Sequence, residues 1–206
     1  MLFTDKLKAL TDDAHQDAEQ SVFITRLLQG EESAAAYARL VTEYLPLYDG
    51  LEHAARATRQ ARPMSEFFDA RLERTPALRS DLAVLGVSDP APPLPATSAY
   101  VDRIASFATD EPVRVLAHHY LRYLGDLSGG QVIGRLVQRH YGIPDDALRV
   151  WDFSAVGKSK PYKDAYRDKL NICLSASEQD VFVEECLHGY RLARELFEDL
   201  AAAPVG

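Results

Sequence analysis

The sequence predicts an all-α protein, and three observations carry that prediction. Apolar residues recur at helical spacings of three and four through most of the chain, and no strand-like alternation of useful length interrupts them. Hydrophobic residues make up 47% of the chain, which is enough for a sizeable core. The 206 residues suit one domain, or at most two small ones. We predict a single domain over residues 1–206, with a tail that frays from about residue 201.

Charge and cysteine content narrow the classes of protein. The formal net charge of −8 disfavours a general attraction to nucleic acid or anionic lipid. No apolar run approaches the roughly 20 residues that a membrane-spanning helix needs. The segment from Met1 to Lys6 lacks the regions of a signal peptide, so we expect a cytoplasmic protein. In that compartment Cys173 and Cys186 are expected to be free and buried.

The first part of the chain predicts two helices. One face of the first helix carries apolar residues at helical spacing, namely Leu7, Leu10, Ala14 and Ala18. Thr4 or Asp5 can cap its start, and Gly30 can end the segment that follows. The second helix is predicted from about Ser33 to Arg59, and Pro46 should kink it or mark a local break.

A proline-rich segment divides the middle of the chain. Another helical segment is expected to begin around Arg62-Pro63. Residues 86–95 then contain four closely spaced prolines, which cannot continue a helix. This segment is either a domain boundary or a surface loop. We favour a loop, because the two flanking halves look too small and too similar in pattern to be independent.

Further helices are predicted after that loop. One covers about residues 97–109, and Pro112 suits the first turn of the next. Gly142-Ile143-Pro144 should end this long helical stretch. Helices resume near Tyr162, and the last one begins at a plausible capping box, Ser175–Glu178.

Three glycines lie inside an otherwise helical pattern: Gly125, Gly129 and Gly130. Each costs about 1 kcal/mol relative to alanine, so something should offset that cost. Gly125 and Gly129 share one helical face, whose bare backbone lets another helix or a flat ligand approach closely. By spacing alone, helix packing is the more common explanation. The segment lacks the Gly-Lys-Ser/Thr ending of a phosphate-binding loop.

His15 is the histidine with the most suitable neighbour for metal binding. Glu19 follows one helical turn later and can accept a hydrogen bond from the ring nitrogen that does not bind the metal. His118 and His119 are expected to support helix packing instead. His140 is expected to be solvated near a helix C-terminus.

The segment Tyr123–Gln131, which reads Tyr-Leu-Gly-Asp-Leu-Ser-Gly-Gly-Gln, resembles without interruption the distal-helix signature of the haem oxygenase family. The pattern around His15 and Glu19 is similar to that family's proximal helix. The resemblance extends from about Leu7 to Leu200. It implies a haem oxygenase-like multi-helix fold with haem b between the proximal and distal helices, His15 as the axial iron ligand and Glu19 as its hydrogen-bond partner.

The resemblance also implies roles for other residues. The cations that bind the haem propionates are Lys8, Lys163 and Arg167, with Lys158 or Lys160 as substitutes. The haem face of the distal helix comprises Gly125, Ser128 and Gly129. The distal water network comprises Tyr48, Tyr120, Arg122 and Asp126. In that network Asp126 holds the water chain that protonates iron-bound peroxide, and the resulting hydroperoxide attacks a porphyrin meso carbon.

The implied activity is that of a haem oxygenase. Haem would be both cofactor and substrate, cleaved to biliverdin (IX-alpha by default), CO and Fe²⁺ with O₂ and electrons from an external reductase or ferredoxin. The purpose would be iron acquisition. A non-enzymatic haem-binding or storage protein and a metal-free helical hydrolase are the alternatives. Ala193 stands where the family commonly has asparagine, which puts one distal hydrogen bond in doubt, and Ile24 replaces a frequent methionine.

Overall fold

The computed structural model describes residues 1–107 and 109–203, and this part of the chain is helical without a β-strand. Its α-helices are α1 (Phe3–Glu19), α2 (Val22–Gln29), α3 (Ala34–Thr58), α4 (Thr75–Val84), α5 (Pro95–Ala105), α6 (Pro112–Gly125), α7 (Gln131–Tyr141), α8 (Ser159–Cys173) and α9 (Ala176–Ala202). A π-helical turn, Asp126–Gly130, joins α6 to α7. Short 3₁₀ turns lie at Met64–Glu66, Ala70–Leu72, Asp145–Ala147, Arg149–Trp151 and Ser154–Val156.

Several helix ends are set by nearby residues, as predicted. The Ser33 side chain accepts the Ala36 N–H at 3.1 Å and so caps α3. Ser175 and Glu178 form the predicted capping box of α9. Gly30 ends α2 with φ 82°, a left-handed conformation that glycine adopts without steric cost. α3 runs through Pro46, so the proline does not break this helix.

Other predictions of local structure are wrong. α1 begins after Leu2 without a side-chain cap, because Thr4 donates its N–H and hydroxyl to Asn171 Oδ1 at 3.0 and 3.1 Å. The segment after Pro63 makes two short turns, and α4 begins only at Thr75. Leu10 is 51% exposed, because the buried stripe of α1 passes beside it. That stripe consists of Phe3, Leu7, Thr11 and Ala18.

Two helix boundaries differ from the prediction. α5 begins two residues earlier than predicted, with Pro95 in its first turn, and it ends at Ala105 rather than near Thr109. α9 extends to Ala202. The fraying of the tail from about residue 201 stays a prediction. The remaining tail, residues 204–206, lies outside the described residues. Cys173 and Cys186 are both free, and Cys186 is buried as predicted while Cys173 is half-buried.

Two long helices organise the core. α9 packs against α1, α5 and α6, and α3 packs against α4, α5 and α6. The buried side chains of these helices form one continuous hydrophobic cluster. The proline-rich segment is therefore a surface loop on a single core, as predicted. In the described residues, no helix has the length and apolar content needed to cross a membrane.

A buried carboxylate joins three of these helices. Glu185 of α9 is fully buried and accepts hydrogen bonds from Arg103 Nη2 at 2.7 Å and Arg114 Nη1 at 2.7 Å. His118 Nε2 lies 2.9 Å from the same carboxylate, and His118 Nδ1 lies 3.2 Å from the Tyr100 hydroxyl. Burial disfavours the charged carboxylate, but the bonds from His118 and the arginines outweigh it, so the pKa of Glu185 lies well below its usual range.

We expect Glu185→Gln to lower the free energy of unfolding at pH 7 by about 3 kcal/mol, because it leaves the partly buried Arg103 and Arg114 without their counter-charge. The depressed pKa means that this contribution is present above the unfolded-state pKa of about 4.3 and is lost as the pH falls below it. Urea denaturation at pH 7 and pH 3 would measure both effects. Glu184→Gln, at a neighbouring carboxylate whose side chain is 58% exposed, is the control. An equal loss in the two variants would contradict the prediction.

Candidate active site

The glycine-rich segment has two faces with different surroundings. A Cβ atom added at Gly125 or Gly129 would meet no atom within 4 Å, so this face has open space in front of it. A Cβ added at Gly130 would lie 2.6 Å from Cε3 of Trp151. One side of the segment therefore leaves room for a ligand, and another side packs closely against a neighbouring side chain. We call Gly125 and Gly129 the open glycine face.

The π-helical turn sits at the centre of this segment. Asp126–Gly130 forms the turn, and Ser128 within it donates its hydroxyl to the Leu124 carbonyl at 2.7 Å. Turns of this kind insert an extra residue into a helix and are frequent at functional sites. The sequence did not predict this π-helical turn.

A buried polar cluster lies beside the open glycine face. We call Tyr48, Arg122 and Asp126 the distal cluster. Tyr48 donates its hydroxyl to Asp126 Oδ2, and Arg122 Nε and Nη2 donate to the Tyr48 oxygen at 3.2 and 3.0 Å. Arg122 Nη2 lies 4.0 Å from Asp126 Oδ1, and the guanidinium carbon lies 4.5 Å from the centre of the Tyr44 ring. The rings of Tyr44 and Tyr48 and the Tyr48 hydroxyl thus hold Arg122 in place.

Burial controls the protonation of this cluster. It raises the pKa of Asp126, although Arg122 and the Tyr48 hydroxyl pull in the opposite direction. It also raises the pKa of Tyr48 well above its usual value, so the phenol keeps its proton and acts as a donor. The result is a carboxyl group that sits in a low-dielectric setting and is linked to a fixed donor. Such a group can hold or pass a proton.

His15 lies on α1. Its Nε2 atom is 3.1 Å from Glu19 Oε1, and its side chain is 43% exposed. The ring meets the edge of Tyr190, with the ring centres 5.3 Å apart. Because Glu19 engages one ring nitrogen, the lone pair of the other is a potential metal ligand.

α9 packs on both α1 and α6, and α8 packs on both α1 and the π-helical turn. On α9, Gly189 packs against Leu121 of α6, and the next residue, Tyr190, meets His15. On α8, Asn171 binds Thr4 near the start of α1, and Lys163 Nζ donates to Ser128 Oγ of the π-helical turn at 2.8 Å. The same pair of helices therefore contacts both α1, which carries His15, and the region around the glycine-rich segment.

The predicted cations occupy different positions. Lys163 reaches the π-helical turn, and burial lowers its pKa with help from neighbouring Arg167. Arg167 pairs with Asp164 at 3.6 Å and lies beside Tyr120. Lys8 is exposed on α1, two turns before His15. Among the described residues, Lys163 is the one of these three cations that hydrogen-bonds to the glycine-rich segment.

Tyr120 lies apart from the distal cluster. Its ring packs against Phe182 and Tyr166, with ring centres 5.6 and 6.3 Å away. Of the four residues predicted for the distal network, the structure thus brings together Tyr48, Arg122 and Asp126, and it places Tyr120 elsewhere on α6. His118 and His119 are buried packing residues, as expected, and burial lowers the pKa of His119 to about 3.

Sequence reasoning missed two residues that shape this site. Tyr44 stacks under Arg122 and lies one helical turn before Tyr48, a spacing that could have revealed it. Trp151 packs behind the glycine-rich segment, but it lies far along the chain and no local pattern connects the two. Ala193, at the position where an asparagine was expected, packs half-buried against the core.

Comparison with known proteins adds independent evidence. The family model described as "Heme oxygenase" matches residues 1–199. "Heme oxygenase 2" of Synechocystis sp. is 31% identical over 212 residues, which cover 98% of this chain and 85% of that protein. Rat "Heme oxygenase 1" is 30% identical over 206 residues, covering 97% of this chain and 71% of that protein.

Solved structures agree with the sequence comparison. The crystal structure of heme oxygenase-2 from Synechocystis sp., in complex with heme and NO, superposes with a TM-score of 0.91 at 30% identity, covering 97% of this chain and 85% of that one. The heme oxygenase of Leptospira interrogans superposes with a TM-score of 0.90 at 28% identity, covering 96% and 98%. The chain therefore belongs to the haem oxygenase family, and it is an enzyme of haem degradation.

Proposed function

We propose that the chain cleaves haem to biliverdin IX-alpha, CO and Fe²⁺, using O₂ and electrons from an external reductase or ferredoxin, and that it serves iron acquisition. The observation that carries this proposal is the open glycine face beside the buried distal cluster. His15, which is paired with Glu19 on α1, would bind the iron from the other side of the haem. A storage protein needs a ligand for iron, but it has no use for a buried proton-holding carboxyl group at the oxygen side.

The residues present fit haem. The His15 imidazole offers a nitrogen ligand, and Glu19 orients it. The open glycine face has no side chains to block a flat macrocycle. Lys163, Arg167 and Lys8 supply positive charge for its two carboxylates. The related haem-bound enzymes of Synechocystis sp. support the same ligand for this chain.

We assign three tasks to the protein's own residues. His15 binds the iron, which when bound activates dioxygen for attack on the porphyrin ring. Asp126 holds a proton near the open glycine face through water, and Tyr48 and Arg122 keep its carboxyl group in one orientation. Lys163 and Arg167 fix the rotation of the haem and thereby the meso carbon that is cut.

A single assay tests this function. Purified protein is mixed with haemin, and ascorbate is added with a peroxide scavenger while the Soret band is followed. We expect the Soret band to disappear and a biliverdin absorption to rise in the red, with CO released. Chromatography against the four isomers identifies the meso carbon. A stable Soret band under turnover conditions would instead support haem storage, and a missing haem spectrum would exclude haem as the substrate.

A further inference from the structure

The face of the glycine-rich segment turned away from the open glycine face packs on a single aromatic ring. A Cβ at Gly130 would lie 2.6 Å from Cε3 and 3.3 Å from Cζ3 of Trp151, and one at Gly134 would lie 3.2 Å from Cδ1. Both distances to Gly130 involve the rigid ring rather than the end of a flexible chain. The backbone of the segment therefore rests directly on the indole.

Trp151 is itself held firmly. Its side chain is buried, and Nε1 donates to the Tyr37 hydroxyl at 3.0 Å. The turn that carries it is tied to α4, because Asp81 accepts the N–H groups of Arg149 and Val150 at 3.0 and 2.8 Å. An indole fixed at both its ring nitrogen and its backbone cannot yield easily when its neighbour grows.

The same ring reaches the distal cluster. Trp151 meets Tyr44 edge-on, with ring centres 6.3 Å apart, and Tyr44 lies under the Arg122 guanidinium at 4.5 Å. Arg122 in turn donates to Tyr48. Trp151 thus contacts both the glycine-rich segment and Tyr44, the residue that packs under Arg122 of the distal cluster.

We propose that Trp151 is a positioning residue that sets the distance of both the open glycine face and the distal cluster from the substrate. This inference rests on the proposed function, since it assumes that haem lies against that face. Trp151 does not touch the substrate, because the glycine-rich backbone lies between them. A methyl group added at Gly130 must push the segment off the indole and toward the substrate. Replacing Trp151 by leucine removes the six-membered ring of the indole and so restores the space for that methyl group.

The test is a set of paired substitutions. Gly130→Ala is expected to lower the rate of haem cleavage about tenfold, because a small displacement of the oxygen-side wall misplaces the reacting groups. Trp151→Leu combined with Gly130→Ala is expected to recover most of that loss relative to Trp151→Leu alone. Gly129→Ala is the matched control, because its methyl group faces open space and not the indole. Its effect should multiply with that of Trp151→Leu to within about twofold, as for independent sites.

Three readouts do not depend on turnover. The Soret maximum and the haemin dissociation constant of each variant should show the same coupling between residues 130 and 151. Trp151 is the only tryptophan of the chain, so its fluorescence maximum should shift in Gly130→Ala and stay unchanged in Gly129→Ala.

The outcomes separate the two proposals. Independent effects of Gly130→Ala and Trp151→Leu on all readouts would overturn the positioning role. A wild-type protein that binds haemin but forms no biliverdin would refute the proposed function. The coupling between residues 130 and 151 in the Soret maximum and in the haemin dissociation constant would still decide whether Trp151 positions the glycine-rich segment.

Discussion

His15→Ala is expected to reduce haem cleavage by at least about 100-fold, since loss of a hydrogen-bond partner of a metal ligand alone typically costs 10–100-fold. In the proposed function His15 supplies the imidazole nitrogen that binds the iron, and Glu19 Oε1 orients the ring from 3.1 Å. The Soret spectrum of the variant with haemin should lose its histidine-ligated form. Added imidazole should restore that form and part of the activity, because the substitution leaves a space of matching shape.

His53→Ala is the matched control for that experiment. His53 is exposed on α3, so its removal should change neither the haem spectrum nor turnover. Glu19→Ala should lie between the two, with about a tenfold loss, because the ligand remains but its orientation is no longer fixed. An unchanged Soret spectrum in His15→Ala would show that another residue binds the iron.

Asp126→Asn is expected to lower biliverdin formation by about 100-fold or more while haemin affinity stays within about threefold, since positioned proton transfer typically contributes 10²–10⁴-fold. The amide keeps the shape of the carboxyl group but cannot hold the proton. Asp126 is buried and bonded to Tyr48, and asparagine fits the same space. We therefore expect the change to remove the proton-holding group without unfolding the protein. Stopped-flow absorption spectra after the addition of ascorbate, together with chromatography of the biliverdin isomers, would measure the loss of biliverdin formation.

Two further variants define the cause of that loss. Tyr48→Phe removes the hydroxyl that Asp126 and Arg122 share, so it should give a smaller decrease than Asp126→Asn. Asp168→Asn makes the same chemical change at an exposed position of α8 and should leave turnover unaffected. Wild-type biliverdin yield from Asp126→Asn would remove this residue from the proposed mechanism.

Local side-chain chemistry made much of the fold predictable. Ser33, Gly30 and the Ser175–Glu178 box act within a few residues of their own helix ends, so their effect follows from sequence spacing alone. The start of α1 was mispredicted because Thr4 binds Asn171, a partner 167 positions away. Contacts of that range depend on how α1 and α8 pack, which no local pattern encodes.

Three features could be predicted from the sequence alone: the helical class, the haem oxygenase motif at Tyr123–Gln131, and the pairing of His15 with Glu19. Each depends on residues that are close together in the chain, and helix geometry brings His15 and Glu19 together whatever the rest of the chain does. The resemblance grouped Tyr48, Tyr120, Arg122 and Asp126 without their contacts. The packed structure was needed to show that Tyr48 bonds to Arg122 and Asp126, that Tyr120 packs elsewhere, and that Trp151 supports the glycine-rich segment. Those contacts cross between separate helices and turns, so they exist only once the whole core has packed.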